Sequence, residues 1–138
     1  MTERTLYKAG LILTGLFATG HFTGFIQASL AARRDPALAD LTRAMRAQGS
    51  TVAGMRATIL DYREYFSVSY SILLVLVIAL GATALSEGAG QLAIKQMSAR
   101  IAMAMAVLCG ASLYYHVFQG VVSCGVIALV FAAAWWMA

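Results

Sequence analysis

The chain has 138 residues, of which 61% are hydrophobic and 12% charged, and its mean hydropathy is +0.77. Soluble domains are about 45–50% apolar and about 25% charged, so this composition excludes an ordinary soluble domain and indicates a membrane protein. The net charge of +4 comes from ten basic residues that lie almost wholly outside the apolar stretches. They form no basic stripe interleaved with aromatic residues, so we expect no nucleic-acid partner.

Four apolar stretches are long enough to cross the ~30 Å hydrocarbon core of a bilayer at ~1.5 Å per residue. They are Leu6–Leu30, Phe66–Leu85, Ile101–Phe118 and Val121–Met137. Because lipid offers no hydrogen-bond partners to the backbone, these stretches must be helices. The sequence therefore predicts an all-α membrane protein, in which residues 1–138 form a single domain of four transmembrane helices packed as an antiparallel bundle.

The first predicted span carries a stripe of small and polar residues. Helical spacing places on one face Gly10, Thr14, Phe17, His21 and Gly24. We expect this face to point into the bundle, because small residues let membrane helices approach closely. Gly20 and Gly24 also form the G-x-x-x-G spacing found at helix contacts, and we therefore expect a homo-oligomer formed through glycine-rich faces.

The segment that joins the first two spans predicts a short amphipathic helix. One side of residues 36–48 carries Leu38, Leu41 and Met45, with charged residues elsewhere. This pattern is typical of a helix that lies on the membrane surface. A solvated connector with some helix is the alternative. Residues 49–51 interrupt the pattern, and we expect the chain to re-enter the membrane near residues 52–60.

A charged and aromatic segment stands at the start of the second span. Two carboxylates, Asp61 and Glu64, and the guanidinium of Arg63 are costly there unless they are paired, hydrated or used. Asp61 and Glu64 share a helix face with Tyr65. A different face carries Arg63, Ser67 and Tyr70. Arg63 is therefore poorly placed to neutralise Asp61, and we expect an ion pair from another helix or from Arg56.

The polar end of the third span adds further candidates at the same membrane level. Tyr115 and His116 close this span, and a short turn at residues 119–120 predicts an antiparallel hairpin with the fourth. Threading the chain through the bilayer brings them into one leaflet with His21 and the start of the second span. This clustering predicts a one-sided polar pocket about half a bilayer deep. The alternative is that His21 only hydrogen-bonds across helices and the tyrosines form an interfacial belt.

Such a pocket predicts a lipophilic small molecule as the ligand, with membrane lipids around it. Asp61 and Glu64 are candidates for a catalytic base and acid, and His21 for a proton relay. Four further side chains are expected to bind and orient the substrate: Arg63, Tyr65, Tyr115 and His116. An acid–base reaction of isomerase, cyclase or hydrolase type is consistent with these groups. Whether the protein is an enzyme is left open by the sequence.

No metal and no cofactor are expected. His21 and His116 differ by roughly 7 Å in depth at ~1.5 Å per residue, which disfavours a haem held between them. Together with Asp61 they make only a marginal zinc site. The chain has no glycine-rich phosphate loop, serine elbow or CxxC motif. A non-catalytic accessory or assembly subunit of a membrane complex, whose polar segment pairs with a partner helix, is the alternative from another class.

A motif of about 25 residues carries a resemblance to a known group. Residues 54–71 contain a Gly-Met pair, a threonine, an aspartate followed by an aromatic residue, and Phe-Ser entering the second span, while residues 20–22 read Gly-His-Phe. This pattern resembles a family of small four-helix proteins of the bacterial inner (cytoplasmic) membrane, whose function is uncharacterised. The resemblance implies the fold, the location and a fixed place for Asp61. Leu60 departs from the tryptophan that this family usually has.

A second resemblance concerns the spacing Asp61-x-x-Glu64-Tyr65-Phe66. It is similar to the start of the second helix in the four-helix membrane enzymes of glutathione and eicosanoid metabolism, which bind glutathione in a trimer. This similarity implies a glutathione-dependent transferase-like enzyme. However, Asp61 stands where those enzymes have asparagine, the arginine spacing is off by one, and the arginine-tyrosine motifs of their later helices are missing.

Overall fold

The computed structural model describes residues 2–52 and 54–138. Within these residues the chain forms five helices and one two-stranded sheet. In chain order the elements are α1 (Glu3–Ala31), α2 (Pro36–Ala47), β1 (Gly49–Val52), β2 (Met55–Thr58), α3 (Ile59–Ser86), α4 (Gln91–Tyr114) and α5 (Phe118–Met137). Four of them, α1, α3, α4 and α5, are each long and apolar enough to cross a membrane. The protein is therefore an integral membrane protein, as its composition predicts.

The helix ends differ from the predicted span ends. α3 begins at Ile59, so the charged segment around Asp61 forms its first turns. α4 ends at Tyr114, because His116 adopts a positive φ of 56°, a conformation that cannot continue a right-handed helix. The turn between α4 and α5 consequently lies at residues 115–117. The prediction that residues 119–120 form this turn is wrong, since both belong to α5.

A β-hairpin that the sequence analysis did not predict joins α2 to α3. Its strands are antiparallel, with Gly49 opposite Thr58 and Thr51 opposite Arg56. Gly54 has a positive φ of 79°, which glycine adopts at no steric cost. The backbone N–H of Ile59, the first residue of α3, donates to the carbonyl of Gln48 at 2.9 Å. The hairpin therefore brings the end of α2 next to the start of α3.

The chain divides into two compact units, Met1–Phe17 with Leu74–Ala138, and Ala18–Leu73. In the first unit, the side-chain amide of Gln91 at the start of α4 donates to the carbonyl of Ala138 at 3.1 Å. The thiol of Cys109, near the end of α4, contacts the carbonyl of Val121, near the start of α5, at 3.4 Å. α4 and α5 thus run side by side in opposite directions. One antiparallel bundle of all four long helices within a single domain stays a prediction.

The core of the first unit contains large side chains with almost no exposure: Tyr7, Leu74, Ile94, Met105, Ile127 and Phe131. The rings of Tyr7 and Phe131 meet edge-on, with centroids 5.5 Å apart. Glycines let neighbouring helices pack closely in this core, because a Cβ on Gly10 would lie 2.7 Å from the Phe131 ring. A Cβ on Gly81 would lie 2.5 Å from Leu11.

The predicted inward stripe of α1 is confirmed in the first half of the helix. Gly10 and Thr14 are buried, and the Thr14 hydroxyl donates to the Gly10 carbonyl at 2.8 Å. Phe17 and His21 are half-buried, whereas Gly24 is exposed. The prediction that Gly24 faces inward is therefore wrong for the chain taken alone.

Candidate functional site

Asp61 caps the start of α3. Its Oδ2 accepts hydrogen bonds from the backbone N–H and the hydroxyl of Thr58, each at 2.8 Å, and its own N–H donates to Thr58 Oγ1 at 3.2 Å. This reciprocal pair is a capping box, with aspartate in the place that glutamate usually takes. The positive charge of Arg46 adds a weaker favourable interaction. Asp61 thus has a structural task that the sequence analysis did not assign, and its partner is Thr58 and not Arg56.

The first turns of α3 present two different faces. One face is exposed and carries Asp61, Glu64 and Tyr65. The other is half-buried and carries Arg63, Ser67 and Tyr70. Both sets follow the three- and four-residue spacing of a helix face. The predicted acid and base therefore point outward, whereas Arg63, predicted to bind substrate, belongs to a polar column on the inward side.

His21 contacts this inward column. Its ring packs edge-on against Tyr70, with centroids 5.1 Å apart and planes at 75°. Both side chains are half-buried, and both lie within helices that are long enough to span a membrane. Tyr70 was not among the predicted site residues. Its sequence signal was the spacing Arg63, Ser67, Tyr70, which places three polar side chains on one face of an otherwise apolar span.

Tyr115 and His116 lie in the exposed turn that joins α4 to α5. Tyr115 is 73% exposed and its ring packs edge-on against Tyr114 at 5.0 Å. Phe118, the first residue of α5, is exposed as well. Exposed aromatic side chains at the end of a membrane hairpin are typical of an interfacial belt. This turn belongs to the first unit, whereas His21 and the start of α3 belong to the second.

The second unit contains a cavity of about 230 Å³ between the end of α1 and α2. Its lining consists of Ala32, Ala39, Thr42, Arg43 and Arg46. Arg43 Nη1 forms an ion pair with Asp40 Oδ1 at 2.8 Å. Both arginine side chains are exposed, and the sequence analysis predicted no cavity here.

The first unit contains an apolar groove of about 270 Å³. It lies between α1 and α5, with Leu13 and Phe17 on one side and Val122 and Val126 on the other. Its walls hold one hydroxyl, that of Ser123. This groove has the character of lipid-facing surface and supplies no group for acid–base chemistry.

Among the residues that the structure describes, no three His, Cys, Asp or Glu side chains lie close enough together to hold a metal ion. No family model matches the chain, and neither curated proteins nor solved structures match it. The two family resemblances noted in the sequence therefore stay expectations.

Proposed function

We propose that this integral membrane protein binds a lipophilic small molecule whose polar end contacts His21, Tyr70 and the inward column of α3. The observation that carries the proposal is the half-buried His21 ring packed against Tyr70 within two apolar helices. Ionisable side chains at membrane depth are costly, and they mark ligand or proton sites more often than packing. An imidazole and a phenol can each donate and accept a hydrogen bond.

The inward column also supports an orientation for the ligand. Arg63 and Tyr70, the two ends of the column, are seven positions apart, or about 10 Å at ~1.5 Å per residue. Arg63 stands nearest the start of the helix and supplies a permanent positive charge. A ligand with an acidic or carbonyl end therefore places that end toward Arg63 and its apolar body toward the aliphatic part of α3.

Conversion of the bound molecule by acid–base catalysis, of isomerase, cyclase or hydrolase type, is the catalytic form of this proposal. In this reaction His21 would transfer the proton, because its imidazole contacts the inward column of α3 through Tyr70. Asp61 is engaged by Thr58 and Glu64 is exposed. Binding is consequently the part that the geometry supports best.

The outward face of α3 favours a second function, that of a non-catalytic accessory or assembly subunit. Tyr65 and Phe66 are each 65% exposed, and their rings pack edge-on at 5.6 Å beside the exposed carboxylate of Glu64. Exposed aromatic rings next to an unburied carboxylate suit a partner helix that carries a basic residue. In this function the charged segment recognises protein and not substrate.

The proposed location is the bacterial inner membrane, with α2 on its surface. Leu38 and Leu41 are exposed, and no residue of α2, which is described throughout, is buried. The side of the membrane that faces α2 has six lysine and arginine residues and the other side has four. This difference favours a cytoplasmic position for α2.

Native mass spectrometry of protein extracted gently from its own membrane tests both functions. Tyr70→Phe removes one hydroxyl from the inward column, and Tyr65→Phe is its matched control on the outward face. A discrete small molecule that is retained by wild type and Tyr65→Phe and lost from Tyr70→Phe supports the binding function. The subunit function is supported instead if the wild-type protein carries no ligand and is extracted together with a second polypeptide, and if the Glu64→Gln variant no longer binds that polypeptide.

A further inference from the structure

We propose that the cavity between the end of α1 and α2 binds a phosphate-bearing anion, either the headgroup of an anionic lipid or free phosphate. Two guanidinium groups, those of Arg43 and Arg46, line this cavity of about 230 Å³. The site is separate from the His21–Tyr70 pair and does not rest on the proposed function.

The arginine pair is arranged to receive an anion. Arg43 Nη1 donates to Asp40 Oδ1 at 2.8 Å in an exposed salt bridge, which uses one of the five N–H donors of the guanidinium. Arg46 lies one turn further along the same face of α2. Arginine forks match the oxygen spacing of phosphate, and two such forks line this one cavity.

The small side chains of the lining leave the space in which an anion fits. Ala32 and Ala39 form the apolar wall, and their short side chains leave open volume beside the two guanidinium groups. One water molecule takes about 30 Å³ in the liquid, and a cavity of about 230 Å³ therefore accommodates a phosphate group with bound water.

The level of the cavity in the membrane points to the same ligand. Ala32 directly follows Ala31, the last residue of the membrane-spanning α1. The ends of spanning helices lie where lipid headgroups lie. The exposed Leu38 and Leu41 occupy a different face of α2 from the two arginines. α2 thus offers an apolar face to acyl chains and a basic face to the phosphate of one lipid molecule.

The test measures lipid binding to the full-length protein in detergent by native mass spectrometry. Dioleoylphosphatidylglycerol is the anionic probe and dioleoylphosphatidylcholine the zwitterionic one. The Arg43→Gln/Arg46→Gln variant is compared with Arg33→Gln/Arg34→Gln, which removes the same charge from the same side of the membrane without altering the lining. We expect affinity for the anionic lipid to fall roughly tenfold or more in the first variant and less than about threefold in the control.

A second arm separates the two sources of phosphate. Millimolar inorganic phosphate that raises the thermal midpoint of wild type, but not of Arg43→Gln/Arg46→Gln, identifies free phosphate as the ligand. Selective binding of the anionic lipid without a phosphate effect identifies a headgroup. Equal loss of lipid binding in both double variants, or no preference of wild type for either probe, overturns the proposal because the attraction is then diffuse.

Discussion

At the residue scale, Asp61 shows how one side chain can satisfy two interpretations of a sequence. A carboxylate at the start of a membrane helix predicts a functional group, but the same position is the one where a capping box needs an acceptor. The hydrogen bonds with Thr58 identify the second use directly. Thr58-x-x-Asp61 could have been recognised from sequence, since it fits the spacing Ser/Thr-x-x-acid that opens many helices.

The capping box predicts coupled stability effects. We expect Thr58→Ala and Asp61→Ala each to lower the free energy of unfolding, because either change removes a hydrogen bond that a backbone N–H at the start of α3 donates. The double variant should lose less than the sum, since both changes break the same pair. Denaturant titration in mild detergent measures the effect. Glu64→Ala, an exposed carboxylate one turn further on, is the control, and additive losses would contradict the interpretation.

The packing of Gly10 against Phe131 predicts a second effect at this scale. In Gly10→Ala the new Cβ would lie 2.7 Å from a ring that is fully buried and packed on Tyr7. We expect a destabilisation of about 1–3 kcal/mol from overpacking. Thermal unfolding in detergent measures it.

The control for this substitution is Gly110→Ala in α4. Among the described residues, no atom lies within 4 Å of the position that a Cβ on Gly110 would take. Alanine favours helix over glycine by up to ~1 kcal/mol, so this variant should be neutral or more stable. Equal stability of Gly10→Ala and wild type would show that the Phe131 ring moves aside at little cost.

At the element scale, periodicity predicted which residues share a face but not which face is buried. The two faces of α3 were both visible in the sequence. The catalytic roles were assigned to the face with both carboxylates, because charged side chains are rarer than hydroxyl groups in a membrane span. In the structure the half-buried face is the one with Arg63, Ser67 and Tyr70. Which face is buried depends on the neighbouring helices, so it cannot be predicted from the sequence of α3 alone.

The hairpin of β1 and β2 was missed for a different reason. Each strand has only four residues, and serine, threonine and arginine fill four of their eight positions. Strands are recognised by alternation of apolar and polar residues; β1 shows none, and β2 alternates over four residues only, which is too short to stand out. The hairpin is fixed instead by pairing across a turn at Gly54 and by its connection to the ends of α2 and α3.

The two faces of α2 predict different depths in the membrane. In a Trp135→Phe/Trp136→Phe background, Leu41→Trp places a fluorophore on the apolar face, where the native side chain is 56% exposed. Ala47→Trp places one about 120° further around the helix, away from Leu38 and Leu41. We expect brominated lipids to quench the first strongly and the second weakly. Weak quenching at both positions would place α2 away from the bilayer surface, and strong quenching at both would show that the helix has no solvent-facing side.

At the scale of the whole molecule, hydropathy predicted the four membrane spans, whereas the types of side chain did not predict which of them meet. Four spans follow from the length of apolar stretches alone, because a bilayer admits few other solutions for the backbone. The cavity beside Arg43 and Arg46 required the path of the chain from α1 into α2. The same holds for the contact of His21 with Tyr70, which joins residues 49 positions apart. Long-range contacts of this kind depend on packing and not on local pattern.

The exposed glycines of α1 predict self-association of the whole protein. Gly20 and Gly24 are exposed, and no described atom lies within 4 Å of where their Cβ atoms would be. A smooth patch of this kind lets a second helix approach closely in lipid, so we expect a homo-oligomer in mild detergent. Gly24→Leu should shift the equilibrium toward monomer by tenfold or more, about 1.4 kcal/mol, because its side chain fills the contact.

Gly110→Leu is the matched control for this effect, because Gly110 is also exposed but has no second glycine four residues away. Native mass spectrometry and light scattering across a range of protein-to-detergent ratios measure the oligomeric state. Dissociation that is confined to Gly24→Leu assigns the interface to α1. A wild-type protein that is monomeric at every ratio, or dissociation of both variants alike, would instead leave these glycines as lipid-facing surface, since an interface on α1 requires a response specific to Gly24.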